Sequence, residues 1–124
     1  MSILKAQIKK LLHHIVDHKD GKITAEISYP DDFKGFEGHF PGKPIVPAVC
    51  NVLTVLTLLE LSLNQKVYLK SIISSKFKGP VGPKEELVIE LRLETQSESW
   101  NKVKAFFKSK GNKIVEMLIE VTYE

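Results

Sequence analysis

The sequence has a single cysteine, Cys50, among 124 residues, so no intrachain disulfide framework and no cysteine-rich metal site is available. An excess of one charge is also missing. The formal balance is +3, too small to point to nucleic acid as a partner. The apolar run Val49–Leu59 is too short to span a bilayer, so no membrane segment is expected. The opening MSILKAQIKK lacks the apolar core and cleavage site of a secretory signal, and a cytoplasmic setting is the simplest expectation. Repeats, linkers and low-complexity tracts are absent, which leaves residues 1–124 as one expected domain.

Against these absences stands an ordinary globular composition, 43% hydrophobic and 27% charged, enough for one core. One stretch is unusual. Phe36–Val49 reads FEGHFPGKPIVPAV, with Pro41, Pro44 and Pro47 three apart and Gly38 and Gly42 between them. Each proline fixes φ and deletes a backbone donor, which excludes helix interior and inner strand and implies a stiff, extended loop. That loop presents His39. Pro47 then stands where the first turn of a helix tolerates proline, and from Ala48 to Leu63 only Glu60 is charged.

The rest of the chain reads as follows. Ser2 can cap a short helix whose Leu4, Ile8, Leu11, Leu12 and Ile15 follow helical spacing. Asp20-Gly21 signals a two-residue hairpin, followed by a half-buried strand with Ile23, Ala25, Ile27 and Tyr29 inward. Residues 48–63 have β-branched residues that favour strand, but their length and Pro47 favour a helix buried on most sides. Strands are expected near 66–77, 85–95, 100–109 and 113–123. In the first of these, Val67, Leu69, Ser71, Ile73 and Phe77 share one face, and Gly111-Asn112 turns the chain before the last. The expected class is α+β, an antiparallel sheet wrapped around one long buried central helix.

The run FxGHFPGxPIxP, followed by a small residue and Val, resembles the signature of the 3-hydroxyacyl-acyl-carrier-protein dehydratases, which have the hot-dog fold. KVYLKSIISSKFKGPVGPKEEL, Lys66–Leu87, is similar to that family's third strand and the turn after it. The resemblance implies removal of water from a 3-hydroxyacyl thioester carried by acyl carrier protein, without cofactor or metal. It implies His39 as the catalytic histidine, the Ala48 N–H as the carbonyl-polarising amide where the family usually has glycine, and an acyl groove near Phe40, Val49, Val52 and Leu53. It also implies a homodimer, or a heterodimer with another hot-dog protein.

The chemistry needs a base at C2, an acid for the departing C3 hydroxyl and donors for the enolate-like oxygen at C1. Histidine titrates near neutrality, and unpaired amides at a helix start suit an oxyanion. The family places its acid fourteen residues after the histidine, and here that position is Leu53. Glu60 lies about 10 Å farther along a helix axis, and Asn51 cannot exchange protons. Two alternatives therefore stand beside a dehydratase: a non-catalytic hot-dog subunit supporting an active one, and an acyl thioesterase, which also normally needs a carboxylate near the helix.

Lys34, Lys43, Lys76, Lys78 and Lys84 surround the loop and turn. They are either a solvated rim or a docking patch for an acidic carrier, with Lys43 and Lys78 the residues to test. His14 and His18 are four apart but belong to a strand end rather than a helix face, so no metal site is expected.

Overall fold

The computed structural model describes residues 2–37, 44–94 and 100–124. Helix α1, Ser2–Leu11, is followed by β1, His13–Asp17, and β2, Lys22–Ile27. A short 3-10 turn, Lys34–Phe36, precedes α2, Ala48–Leu63. Four strands complete the chain: β3, Val67–Phe77; β4, Leu87–Glu94; β5, Trp100–Ser109; and β6, Asn112–Tyr123.

The described strands form one antiparallel sheet in the order β1-β2-β4-β5-β6-β3. Alternation decides which face packs. Leu87, Ile89 and Leu91 of β4, Val103, Ala105 and Phe107 of β5, and Val115, Met117, Ile119 and Val121 of β6 are buried. They meet Val55, Leu58 and Leu59 of α2 in one hydrophobic cluster, which is the hot-dog arrangement expected.

The boundaries of α2 have simple causes. Pro47 is not in the first turn, as the sequence suggested, but one residue outside it as the N-cap, with φ −64° and ψ 151°. Lacking a side-chain acceptor, it serves through its carbonyl, which accepts from the N–H groups of Cys50 and Asn51 at 2.9 and 3.3 Å. Asn64 ends the helix in the left-handed region at φ 55°, a position asparagine tolerates. Within the helix the Thr54 and Thr57 hydroxyls donate to the carbonyls of Cys50 and Leu53 at 2.7 Å each, so neither buried threonine is unpaired. Thr54 Oγ1 also lies 2.8 Å from the buried Tyr29 hydroxyl. No described helix is long and apolar enough to cross a membrane.

Three local expectations need correction. The β1–β2 connection is four residues, His18–Gly21, with Lys19 at φ 71° and Gly21 at φ 85°, rather than a two-residue turn. The β5–β6 turn is Lys110-Gly111, at φ 51° and 84°, the paired left-handed conformation of a tight hairpin, and not Gly111-Asn112. β3 shows no single inward face. Register shifts between Leu69 and Ser71 and between Ile72 and Ser74 break its alternation, and Val67 is its one buried residue. Leu69, Ile72, Ile73 and Phe77 are left exposed on a sheet edge.

Candidate active site

Two segments distant in sequence meet at the start of α2. The Val46 N–H donates to the Val81 carbonyl at 2.8 Å, and the Lys78 N–H donates to the Ile114 carbonyl at 2.8 Å. These bonds hold the approach to α2 against the turn that leaves β3. Between them lies a cavity of about 430 Å³, walled by Ile45–Ala48, Asn51 and Phe77–Val81. Its floor is largely apolar. Ala48 opens the helix, so its amide and that of Val49 have no intrahelical acceptor and carry the positive end of the helix dipole. Ala48 is also not among the residues with positive φ, so alanine is sterically acceptable where the resembled family has glycine.

Asn51 is the residue whose place in this cavity the sequence did not disclose. It is 2% exposed, and its Oδ1 is buried without a hydrogen-bond partner among the described residues. Three positions after Ala48, it shares that residue's helix face. The available signal was its polarity within an apolar run, together with this spacing.

The structure brings Ala48 and Lys78 to one cavity. Lys78 Nζ is 2.9 Å from Glu116 Oε2, and the Lys78 hydrogen bond holds the Glu116 carboxyl below its ordinary range. Val49, Val52 and Leu53 do not line this cavity. They lie on the neighbouring side of α2, where Val49 is 57% exposed, Val52 is half-buried and Leu53 is 8% exposed within the core. His39, Phe40 and Lys43 lie outside the described residues. Lys34 pairs with Glu37 at 3.2 Å and Lys84 with Asp31 at 3.0 Å, so three lysines of the suggested patch already face a carboxylate.

The remaining candidates for proton transfer have other tasks. Glu60 pairs with Lys5 of α1 and accepts from the Val67 N–H at 2.9 Å. Partial burial raises its pKa, but the Lys5 and Val67 hydrogen bonds and the Lys5 and Lys66 charges outweigh this and hold the carboxyl below its ordinary range. It ties α1, α2 and β3 together. Cys50 is buried beside Gly35, and burial pushes its thiol up, away from thiolate chemistry. His18 does not join His14; its Nε2 is 2.9 Å from Thr24 Oγ1.

Residues 15–116 match the model of the ApeI-like family, described as ApeI dehydratase. The chain belongs to the ApeI-like dehydratase family. The 3-hydroxyacyl-acyl-carrier-protein dehydratase FabZ of Photorhabdus laumondii is 30% identical over 93 residues, which cover 65% of this chain and 61% of that protein. The chain thus spans about three fifths of the length of the curated relatives it matches first.

Among solved structures, the dehydratase heterocomplex ApeI:P from Xenorhabdus doucetiae has a chain that superposes with a TM-score of 0.74 at 17% identity, covering 90% of this chain and 96% of that one. A hypothetical thioesterase from Streptococcus pneumoniae, solved with coenzyme A, gives a TM-score of 0.67 at 10% identity, covering 90% and 84%. At these identities the likeness is one of fold. This ApeI-family member is a dehydratase-like hot-dog protein.

Proposed function

We propose that the chain supplies half of a 3-hydroxyacyl-thioester dehydratase site, which a second hot-dog protein completes with a carboxylate. Leu53 is the observation that carries this reading. It occupies the position of the resembled family's acid and is packed in the core. Among the described residues of the Ala48 cavity, the ionisable one is Lys78, already engaged with Glu116. In this reading His39 supplies the base and the Ala48 amide the oxyanion donor, and the acid is left to the partner.

In this reading His39 removes the C2 proton and the electron pair forms the C2=C3 bond. The C3–O bond breaks, and the hydroxyl leaves as water with a proton from the partner's carboxylic acid. Negative charge developing on the thioester oxygen is met by the Ala48 amide, a donor fixed before reaction and therefore costing no reorganisation. The acyl chain runs along Phe40, Val49, Val52 and Leu53. The substrate is held by acyl carrier protein, drawn by the rim around Lys43 and Lys78, in a cytoplasmic setting. Residues 1–124 act as one hot-dog unit.

The need for a partner has independent support. β3 is a long sheet edge with unpaired backbone groups and exposed apolar side chains, a feature that soluble proteins cover. Val49 and Val52 on α2 add to the exposed apolar surface. The dehydratase heterocomplex among the fold relatives is consistent with pairing between two such chains.

The same leucine also favours a second reading, in which the chain is a non-catalytic subunit that only supports its partner. Dehydration of a 3-hydroxyacyl carrier-protein substrate separates the two. The chain alone is expected to turn over slowly, and addition of a carboxylate-bearing hot-dog partner to raise the rate by roughly 10²–10⁴. His39→Ala in the complex abolishes that gain if the chain is catalytic and leaves it intact if the chain only supports. Ordinary turnover by the chain alone would overturn the argument from Leu53.

A further inference from the structure

Neighbouring residues of a regular strand point to opposite faces of the sheet. The start of β1 breaks this rule. Its register against β2 shifts between His13 and Val16, and His14 has φ 51°, in the left-handed region. The two imidazoles are thereby brought together, with ring centroids 5.0 Å apart and planes at 63°. Glu26 lies directly across the ladder from His13. Its Oε1 is 3.2 Å from His14 Nδ1 and 3.7 Å from His13 Nε2. Among the described residues, these three form the group of His, Cys, Asp or Glu ligand atoms that lie within 4.8 Å of one another.

These separations suit a particular occupant. A tetrahedral ion with arms of ~2.0–2.1 Å to nitrogen and oxygen holds neighbouring donors roughly 3.3 Å apart. The two gaps, 3.2 and 3.7 Å, bracket that value. The protonation pattern also fits. His13 Nδ1 lies 2.9 Å from the Leu11 carbonyl, and only a protonated Nδ1 can donate to it, so the neutral ring keeps its lone pair on Nε2, facing Glu26. A backbone carbonyl on the far ring nitrogen is the support that metal-binding histidines usually have. Here it comes from the last residue of α1, so the helix end fixes the ring.

We propose that His13, His14 and Glu26 bind one divalent transition-metal ion of the zinc type, with solvent completing its coordination. Two imidazole nitrogens and a carboxylate select zinc, cobalt or nickel over magnesium and calcium, which prefer oxygen. His13 and Glu26 also line an open cavity of about 780 Å³ that includes Ser28, Lys84 and Lys108, so water and small ligands reach the ion. The site sits at the opposite edge of the sheet from β3 and shares no residue with the Ala48 cavity, so it stands independently of the dehydratase reading.

The test titrates the tag-free, metal-stripped chain with Co²⁺, following visible d–d absorption, and then displaces the cobalt with Zn²⁺. One ion per chain is expected, with an absorption band typical of nitrogen and oxygen ligands and no competition from Mg²⁺. His14→Ala and Glu26→Gln should each raise the Kd at least tenfold, while His18→Ala leaves it unchanged. Circular dichroism checks folding, and Glu26→Gln, which keeps size and shape, remains informative if a histidine variant misfolds. Stoichiometric binding that survives the His13→Ala/His14→Ala pair would overturn the proposal. So would the absence of any Co²⁺ band, or a Glu26→Gln chain that binds like the parent.

Discussion

Val46 and Val81 are joined by a 2.8 Å backbone hydrogen bond, and both are buried. This bond makes the approach to α2 and the exit from β3 one rigid corner, so the Ala48 amide is fixed relative to Lys78 and Asn51. In the proposed reaction such a corner would preorganise the oxyanion donor: an N–H held by the backbone bonds around it does not have to reorient when charge develops.

Asn51 gives the first prediction. A buried amide oxygen without a partner costs about 1–3 kcal/mol, and an apolar residue of similar size removes that cost. Asn51→Leu should therefore be at least as stable as the parent, with an equal or higher urea midpoint. If the amide serves the substrate, the same variant has a raised KM for the acyl thioester. A gain in stability coupled to a loss of binding would mark Asn51 as a residue kept for function.

Much of this site was not legible in the sequence, for a physical reason. The helix Ala48–Leu63 could be read from its length, its apolar content and the preceding Pro47, because these act locally. The meeting of Ala48 with Lys78 depends on the Val46–Val81 and Lys78–Ile114 bonds, which only tertiary folding creates. The bulges of β3 and the left-handed His14 are likewise set by strand pairing, so strict alternation misassigned the faces of β3 and concealed the His13–His14 pair. Leu53 was legible only by its distance from His39 in the sequence. Its packing within the core is what the structure adds.

The second prediction concerns the exposed edge. β3 carries Ile72 at 49% exposure and Ile73 at 47%, apolar surface that a second hot-dog chain would cover. Sedimentation velocity should give a particle heavier than the 14.0 kDa chain, either alone or with its partner. Ile72→Asp should shift it toward monomer while circular dichroism stays unchanged. A monomer under both conditions would remove the basis for a shared site.

The third prediction is acid sensitivity. Burial raises the pKa of Glu60 and of Glu90, but Lys5 at the first, and Lys108 and Arg92 at the second, more than reverse this and leave both carboxyls lowered. A lowered folded-state pKa means that the native state binds fewer protons than the unfolded state in the interval between the two values. The stabilisation is complete above the ordinary glutamate range, near ~4.3, and is lost as pH falls through the folded values. Urea midpoints measured from neutral pH downward should fall below that range. The Glu60→Gln/Glu90→Gln variant should start lower and fall less steeply. Equal slopes would show that other carboxylates control acid unfolding.

The last prediction returns to Leu53. In the resembled enzymes histidine and acid come from different subunits, so a homodimer of this chain would hold two sites with His39 and no acid. Leu53→Glu should install the missing group, and Leu53→Gln should install the same shape without a transferable proton. Both bury a polar group in an apolar face and cost stability, so their comparison isolates the proton. The glutamate variant alone is expected to dehydrate a 3-hydroxyacyl carrier-protein substrate faster than the parent, approaching the roughly 10²–10⁴ that one general acid contributes. The glutamine variant gains nothing, and adding His39→Ala to the glutamate variant abolishes the gain. Equal activity of the Glu and Gln variants would mean that the proton comes from elsewhere, and that Leu53 is not the vacant acid position.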